Sequence, residues 1–278
     1  MSITVNDIIN KLDALAPRAA ACEWDNPGLL VGRSDQEVSK VYVALDASLD
    51  VVNAAIEEGC DLVVTHHPII FHAIKSINDE TGLGIKLLDL IRNDVAVYSM
   101  HTNFDSCPGG MGDLVCGRLG LKKLAPMEYT KAPMTPNDGN AASETASAEE
   151  APYGIGFIAE LPHSMTAEEL SLLVKEKFQL PFVQYYDAGS IIRKIACCPG
   201  SGRGELKTVL GHHVDAFLTG DMGHHEGLDY TEEGISLIDA GHYGLEHVFT
   251  EYIADFIKGS FPEAEVLTAP LHFPAALV

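Results

Sequence analysis

Short runs of β-branched and apolar residues alternate with helix-like stretches along most of this chain, and that alternation restricts it to the α/β class. Residues 41–44, 61–65 and 95–100 read as strands, separated by helices at 50–58 and 85–93. An amphipathic helix precedes them, with Ile3, Val5, Ile8, Ile9, Leu12 and Leu15 interleaved with Asn6, Asp7, Lys11 and Asp13. The second strand is followed by His66-His67-Pro68 and the third by His101. Open α/β sheets collect ligands at the C-terminal ends of their strands, so these histidines stand where chemistry is expected.

Residues 131–152 break the rhythm. They hold Pro133, Pro136, Asn137, Asp138 and Gly139, several Ser and Thr, then Glu149 and Glu150, with almost no large apolar residue. Such composition buries too little surface to pack and reads as a polar linker or loop. Beyond it come strands at 154–160, 183–186, 193–198, 216–219 and 235–239, with helices at 167–178, 205–210 and 243–256. The expected organisation is two linked α/β domains, 1–130 and 153–278, joined by that segment, the second returning His242 and Glu246 to a shared site.

With 278 residues, 46% of them hydrophobic, the chain can build a sizeable core. Its net charge of -22 repels a nucleic-acid backbone, which disfavours nucleic acid as a partner, and it attracts cations. No stretch reaches the roughly 20 apolar residues of a membrane span, and the N-terminus is amphipathic rather than signal-like, so no membrane partner and a cytoplasmic location are expected. Cys22, Cys60, Cys107, Cys116, Cys197 and Cys198 show no CxxC spacing and are expected as reduced thiols, Cys197 and Cys198 as small buried side chains.

Three pairs of residues carry metal-ligand chemistry. Pro68 biases His67 toward extended backbone, and adjacent side chains of an extended chain point to opposite sides, so His66 and His67 suit two ions better than one. His101 is followed four residues later by Asp105, whose two oxygens can bridge ions, with Cys107-Pro108-Gly109-Gly110 expected to keep the region a loop. His242 and Glu246, at i and i+4 after another strand end, share a helical face. Each pair alone could cap or pack; their common position at strand ends makes a joint site the better reading. The donors are nitrogen and oxygen without thiolate, which suits zinc, iron, manganese, cobalt or nickel. Two such ions can activate a water for hydrolysis.

Glu23-Trp24-Asp25-Asn26-Pro27-Gly28-Leu29, THHPIIF from Thr65, HTNFD from His101, TGD from Thr219 and GHYGLEH from Gly241 follow one another in an order that resembles the Nif-three-like dinuclear metal family, whose members are often labelled GTP cyclohydrolase I type 2. The resemblance spans nearly the whole chain. It implies two α/β domains with a metal site in the cleft between them, two divalent ions per subunit, and a ring-like hexamer built from dimers. It maps the ligands onto His66, His67, His101, Asp105, His242 and Glu246. Some relatives carry an extra domain where this chain has only its polar stretch.

Gly200-Ser201-Gly202-Arg203-Gly204 lies between a strand and a helix and is either a tight turn or an anion cradle. His225, where relatives also place a histidine, is the candidate catalytic residue, and with His224 could supply a proton donor or an outer metal contact. Trp24, the single tryptophan, is expected as a structural anchor. Two functions remain open: a metal-dependent hydrolase acting on a nucleotide or other small molecule, or a non-catalytic protein that binds, delivers or senses metal.

Overall fold

A computed structural model describes residues 2–130, 152–276 and 278. The expected linker at 131–152 lies, but for Pro152, outside the described residues. The chain divides into two compact units, one of Met1–Phe104 with His247–Leu271, the other of Asp105–Glu246 with His272–Val278. This division differs from boundaries at 130 and 153. The strand Lys123–Ala125 pairs with Phe157–Met165, and so belongs with the chain that follows the linker. After Glu246 the chain goes back to the first unit, which no local pattern announces.

The first unit is built on a five-stranded sheet in the order Gly28–Val31, Ala96–Ser99, Leu62–Thr65, Lys40–Ala44, Glu265–Thr268. Its last four strands run parallel and Gly28–Val31 is antiparallel. Leu62–Thr65 and Ala96–Ser99 are buried at every position, as strands covered on both faces must be. Helices form where the sequence supplies caps. Thr4 and Asp7 make a reciprocal capping box for Val5–Leu15, while Ser48 caps Leu49–Glu57 and Thr81 caps Gly82–Arg92. Val5–Leu15 buries Val5, Ile8, Ile9 and Leu12, one helical face, each such side chain contributing roughly 1.5–3 kcal/mol relative to exposure.

The second unit holds a six-stranded sheet in the order Lys123–Ala125, Phe157–Met165, Ile192–Ser201, Ala216–Gly220, Ser236–Asp239, Gln184–Tyr186. Its three inner strands from Ile192–Ser201 to Ser236–Asp239 are parallel, with antiparallel strands outside them. The expected strand at 154–160 is broken at Gly156. That residue has φ +65°, and a Cβ there would lie 2.2 Å from the Cys197 carbonyl oxygen, so only glycine lets the chain pass. The expected helix at 243–256 is likewise two helices, His242–Glu246 and Val248–Ser260.

Among the described residues no helix is long and apolar enough to cross a membrane. None of the six cysteines is in a disulfide, and Cys197 and Cys198 are buried as expected. Burial pushes the thiol of Cys107 up to about 12 and those of Cys60 and Cys116 up to about 11.

Candidate metal centre

In the first unit three imidazoles converge at the C-terminal ends of two adjacent strands. The backbone does not stay extended after Thr65. The amides of His66 and His67 both donate to the Leu45 carbonyl, at 3.2 and 3.0 Å, and bend the chain. The Thr65 hydroxyl donates to the His67 carbonyl at 2.9 Å and meets the Ser99 hydroxyl at 2.8 Å, tying the bend to the neighbouring strand. The two rings therefore lie on one side, centroids 4.9 Å apart, rather than on opposite sides as an extended chain would put them. His101 joins them, its ring 5.2 Å from His66 and 5.6 Å from His67. One ligand atom from each of the three lies within 4.8 Å of the others.

Each ring is turned by a bond at Nδ1. His66 Nδ1 donates to the Met100 carbonyl at 2.7 Å, His67 Nδ1 to Asp46 at 2.7 Å, and His101 Nδ1 to Asp25 at 2.7 Å. A carbonyl or carboxylate oxygen only accepts, so the proton sits on Nδ1 and the lone pair on Nε2, the tautomer a metal ligand needs.

Asp25 is the most constrained of these supports. Its side chain has no exposed surface. Besides His101 it accepts the amide and hydroxyl of Thr102, at 3.0 and 2.5 Å. Burial raises its carboxyl, but the bonds from His101 and Thr102 outweigh burial and bring it down to about 2. Trp24 beside it is no buried anchor: it is 63% exposed, with its ring edge-on to Phe71 at 5.9 Å and to His101 at 6.1 Å.

The second unit repeats the device. His242 Nδ1 donates to Asp221 at 2.8 Å, and His242 Nε2 lies 3.0 Å from a carboxylate oxygen of Glu246, one helical turn on. Asp221 takes φ +60°, a left-handed conformation that aspartate tolerates better than most residues. Its carbonyl accepts Arg203 Nε at 2.7 Å. Asp239 holds the same loop through the amides of Met222 and Gly241, both at 2.9 Å; burial raises its carboxyl above the usual value. The Gly200 turn acts as a space-maker: with φ +77°, a Cβ there would fall 2.4 Å from Glu246 Oε1 and 3.3 Å from His242 Nε2. The helix after it, Leu206–Gly211, has only six residues and no side-chain cap, which removes the physical basis for an anion cradle.

Asp105, half-buried, lies in a short helix, Thr102–Ser106, where a loop was expected. His225 is exposed on the first turn of His224–Glu232, its ring 5.3 Å from that of His224. The sequence reading missed Asp25, Asp46 and Asp221 as functional positions, and took Gly200 for part of a turn or anion cradle rather than the residue that leaves Glu246 room. Asp25 and Asp221 stood in motifs singled out for other reasons, and Asp46 carries the available signal of following a buried strand at its C-terminal end.

In each unit the donors fit divalent transition metals: three imidazoles held at Nδ1 in the first, and in the second an imidazole, a buried carboxylate and a glycine that leaves that carboxylate room. A family model described as Duf34/NIF3 (NGG1p interacting factor 3) matches residues 3–272. The chain is 36% identical over 269 residues to a GTP cyclohydrolase 1 type 2 homolog of Clostridium acetobutylicum, with 96% of this chain and 94% of that protein aligned. It is 35% identical over 255 residues to the Clostridium perfringens homolog of the same name, with 91% of each covered. A hypothetical protein of Staphylococcus aureus has a similar structure, with a TM-score of 0.86 at 30% identity and 100% of both chains covered. A Bacillus cereus protein related to NIF3 gives a TM-score of 0.88, covering 100% of this chain and 99% of that one; at 21% identity this likeness speaks to fold alone. With nearly its whole length matched, this chain belongs to the Duf34/NIF3 family.

Proposed function

We propose that this protein binds two divalent metal ions through His66, His67, His101, Asp105, His242 and Glu246, and that it is a metal-dependent hydrolase. The observation that carries the metal reading is the common orientation of four imidazoles, each with Nδ1–H given to a protein oxygen. Packing histidines have no need of one shared tautomer, whereas ligands do. Asp46, Asp25 and Asp221 hold three of the rings in place and make them stronger donors. A bound pair of divalent ions supplies Lewis acidity and activates water at neutral pH.

We assign His225 to proton transfer. Its exposure on a helix end leaves it open to a leaving group. The name carried by the Clostridium relatives makes GTP the first substrate to try. By the family resemblance we also propose a cytoplasmic homohexamer, for which a mass near six times 29.9 kDa in solution is the check.

A non-catalytic role in metal delivery or sensing is favoured by one feature: His67 and His242 keep 22% and 34% of their side-chain surface exposed, so their ions could exchange readily. Elemental analysis of protein purified without added metal, paired with a hydrolysis screen that includes GTP, separates the readings. About two ions per chain, with turnover lost on chelation and regained on metal return, is the hydrolase result. Two ions without turnover would favour delivery, and protein free of metal would contradict both.

A further inference from the structure

We propose that a cavity against His242 is the subsite for one nitrogen-bearing aromatic ring of the substrate, with ring N–H groups directed at Asp221, and that phosphate is excluded from it. The inference deepens the hydrolase reading and rests on it for its catalytic meaning.

The cavity lies wholly within the second unit and measures about 150 Å³. An apolar cavity of that order holds a benzene-sized ring. Leu180, Phe182, Tyr243 and Phe273 give it apolar and aromatic walls, and Asp221 and His242 form its polar edge. Gly241 and Gly244 also line it, contributing backbone without side chain. The wall at Phe273 is tied down: the His272 amide donates to the Tyr243 hydroxyl at 3.2 Å, and the Phe273 ring packs edge-to-face on Tyr243 at 5.4 Å. Aromatic walls with few polar groups are the usual form of a small-ligand site.

The polar edge sets the ligand's chemistry. An ionised carboxylate only accepts hydrogen bonds, so Asp221 calls for N–H donors. Among the described residues no Lys or Arg lines the cavity, and the nearby Arg203 gives its Nε to the Asp221 carbonyl. A phosphate placed there would meet a carboxylate with no lining cation to offset it. The same walls beside His242 put a bound ring next to a proposed metal ligand, where a reacting ring atom would have to be.

The test titrates the full-length protein with 2-aminoimidazole, a single ring rich in N–H donors, and separately with inorganic triphosphate, by calorimetry. Phe273→Ala and Ala275→Trp are measured alongside, with metal content determined on every sample. Ala275 is exposed at the cavity wall, so a tryptophan there fills the space without disturbing a core. The expected result is a Kd of about 1 mM or below for the ring, weakened about tenfold or more in each variant, and no displacement by triphosphate. Equal affinity in both variants, displacement by triphosphate, or no binding at about 10 mM to folded protein would overturn the subsite. So would loss of binding only on dilution to monomers, which would make this surface a contact between copies. Ring binding in protein that holds no metal would sustain the subsite and remove the hydrolase reading. Metal without ring binding would remove the subsite and leave the metal site standing.

Discussion

The side chains of Asp46 and Asp221 each accept the Nδ1–H of a histidine. Replacing either with Asn keeps the size and removes the charge. Losing such a support from a metal ligand costs about 10- to 100-fold in affinity. We therefore expect Asp46→Asn and Asp221→Asn to weaken metal binding by that factor, read by competition with a chromogenic chelator, with little change in thermal unfolding of the metal-free protein, since both carboxylates are largely exposed. Equal affinity in wild type and both variants would mean that the Nδ1 bonds do not orient ligands. The histidines themselves were legible in the sequence because imidazole pairs at strand ends are uncommon and chemically pointed. Their aspartate partners were not. Aspartate is ordinary in turns, and Asp25 reaches His101 across 76 residues of chain, a contact no local pattern encodes.

At the scale of elements, helices with caps were readable, and so was the edge strand Gln184–Tyr186, but other edge strands were not. Ala167–Lys177 has both signals, periodic apolar residues and a Thr166–Glu169 capping box. Gly28–Val31 and Glu265–Thr268 escaped notice because four residues carry little periodicity and their pairing partners lie far along the chain. The bend at His66 and His67 was equally hidden, since it depends on the Leu45 carbonyl just past the end of another strand.

The capping box yields a prediction with a sign. Hydrogen bonds from the Thr166 amide and hydroxyl lower the Glu169 carboxyl below its usual 4.5. A carboxylate with a depressed folded value stabilises the protein above its unfolded value and loses that contribution as pH falls through the folded one. Thr166→Ala should cost about 1 kcal/mol at neutral pH through the lost cap. The gap between variant and wild type in chemical denaturation should narrow as pH drops below 4.5. A gap independent of pH would show that the Thr166 hydroxyl, which the substitution removes while the amide stays, does not stabilise the Glu169 carboxylate.

For the whole molecule, burial dictates thiol chemistry. Cys22 is only half-buried, while Cys60, Cys107, Cys116, Cys197 and Cys198 are buried. Burial raises the last five away from the thiolate form that reacts. With a disulfide reagent at neutral pH, Cys22 should react first and the other five only on unfolding. Rapid titration of more than one thiol in the folded protein would contradict the described core. The α/β class was plain from the alternation of strand and helix, but the two units were not, because residues 247–271 rejoin a sheet begun near the other end of the chain.

The central claim is that oriented Nε2 atoms hold metal, and anomalous X-ray scattering from crystals of the metal-loaded protein tests it most directly. The account predicts two anomalous peaks, each on the Nε2 side of the rings of His66, His67, His101 and His242, at about 2.0–2.1 Å from the coordinating nitrogens. Peaks away from these rings, or peaks bound at Nδ1 with Asp46, Asp25 and Asp221 displaced, would contradict it.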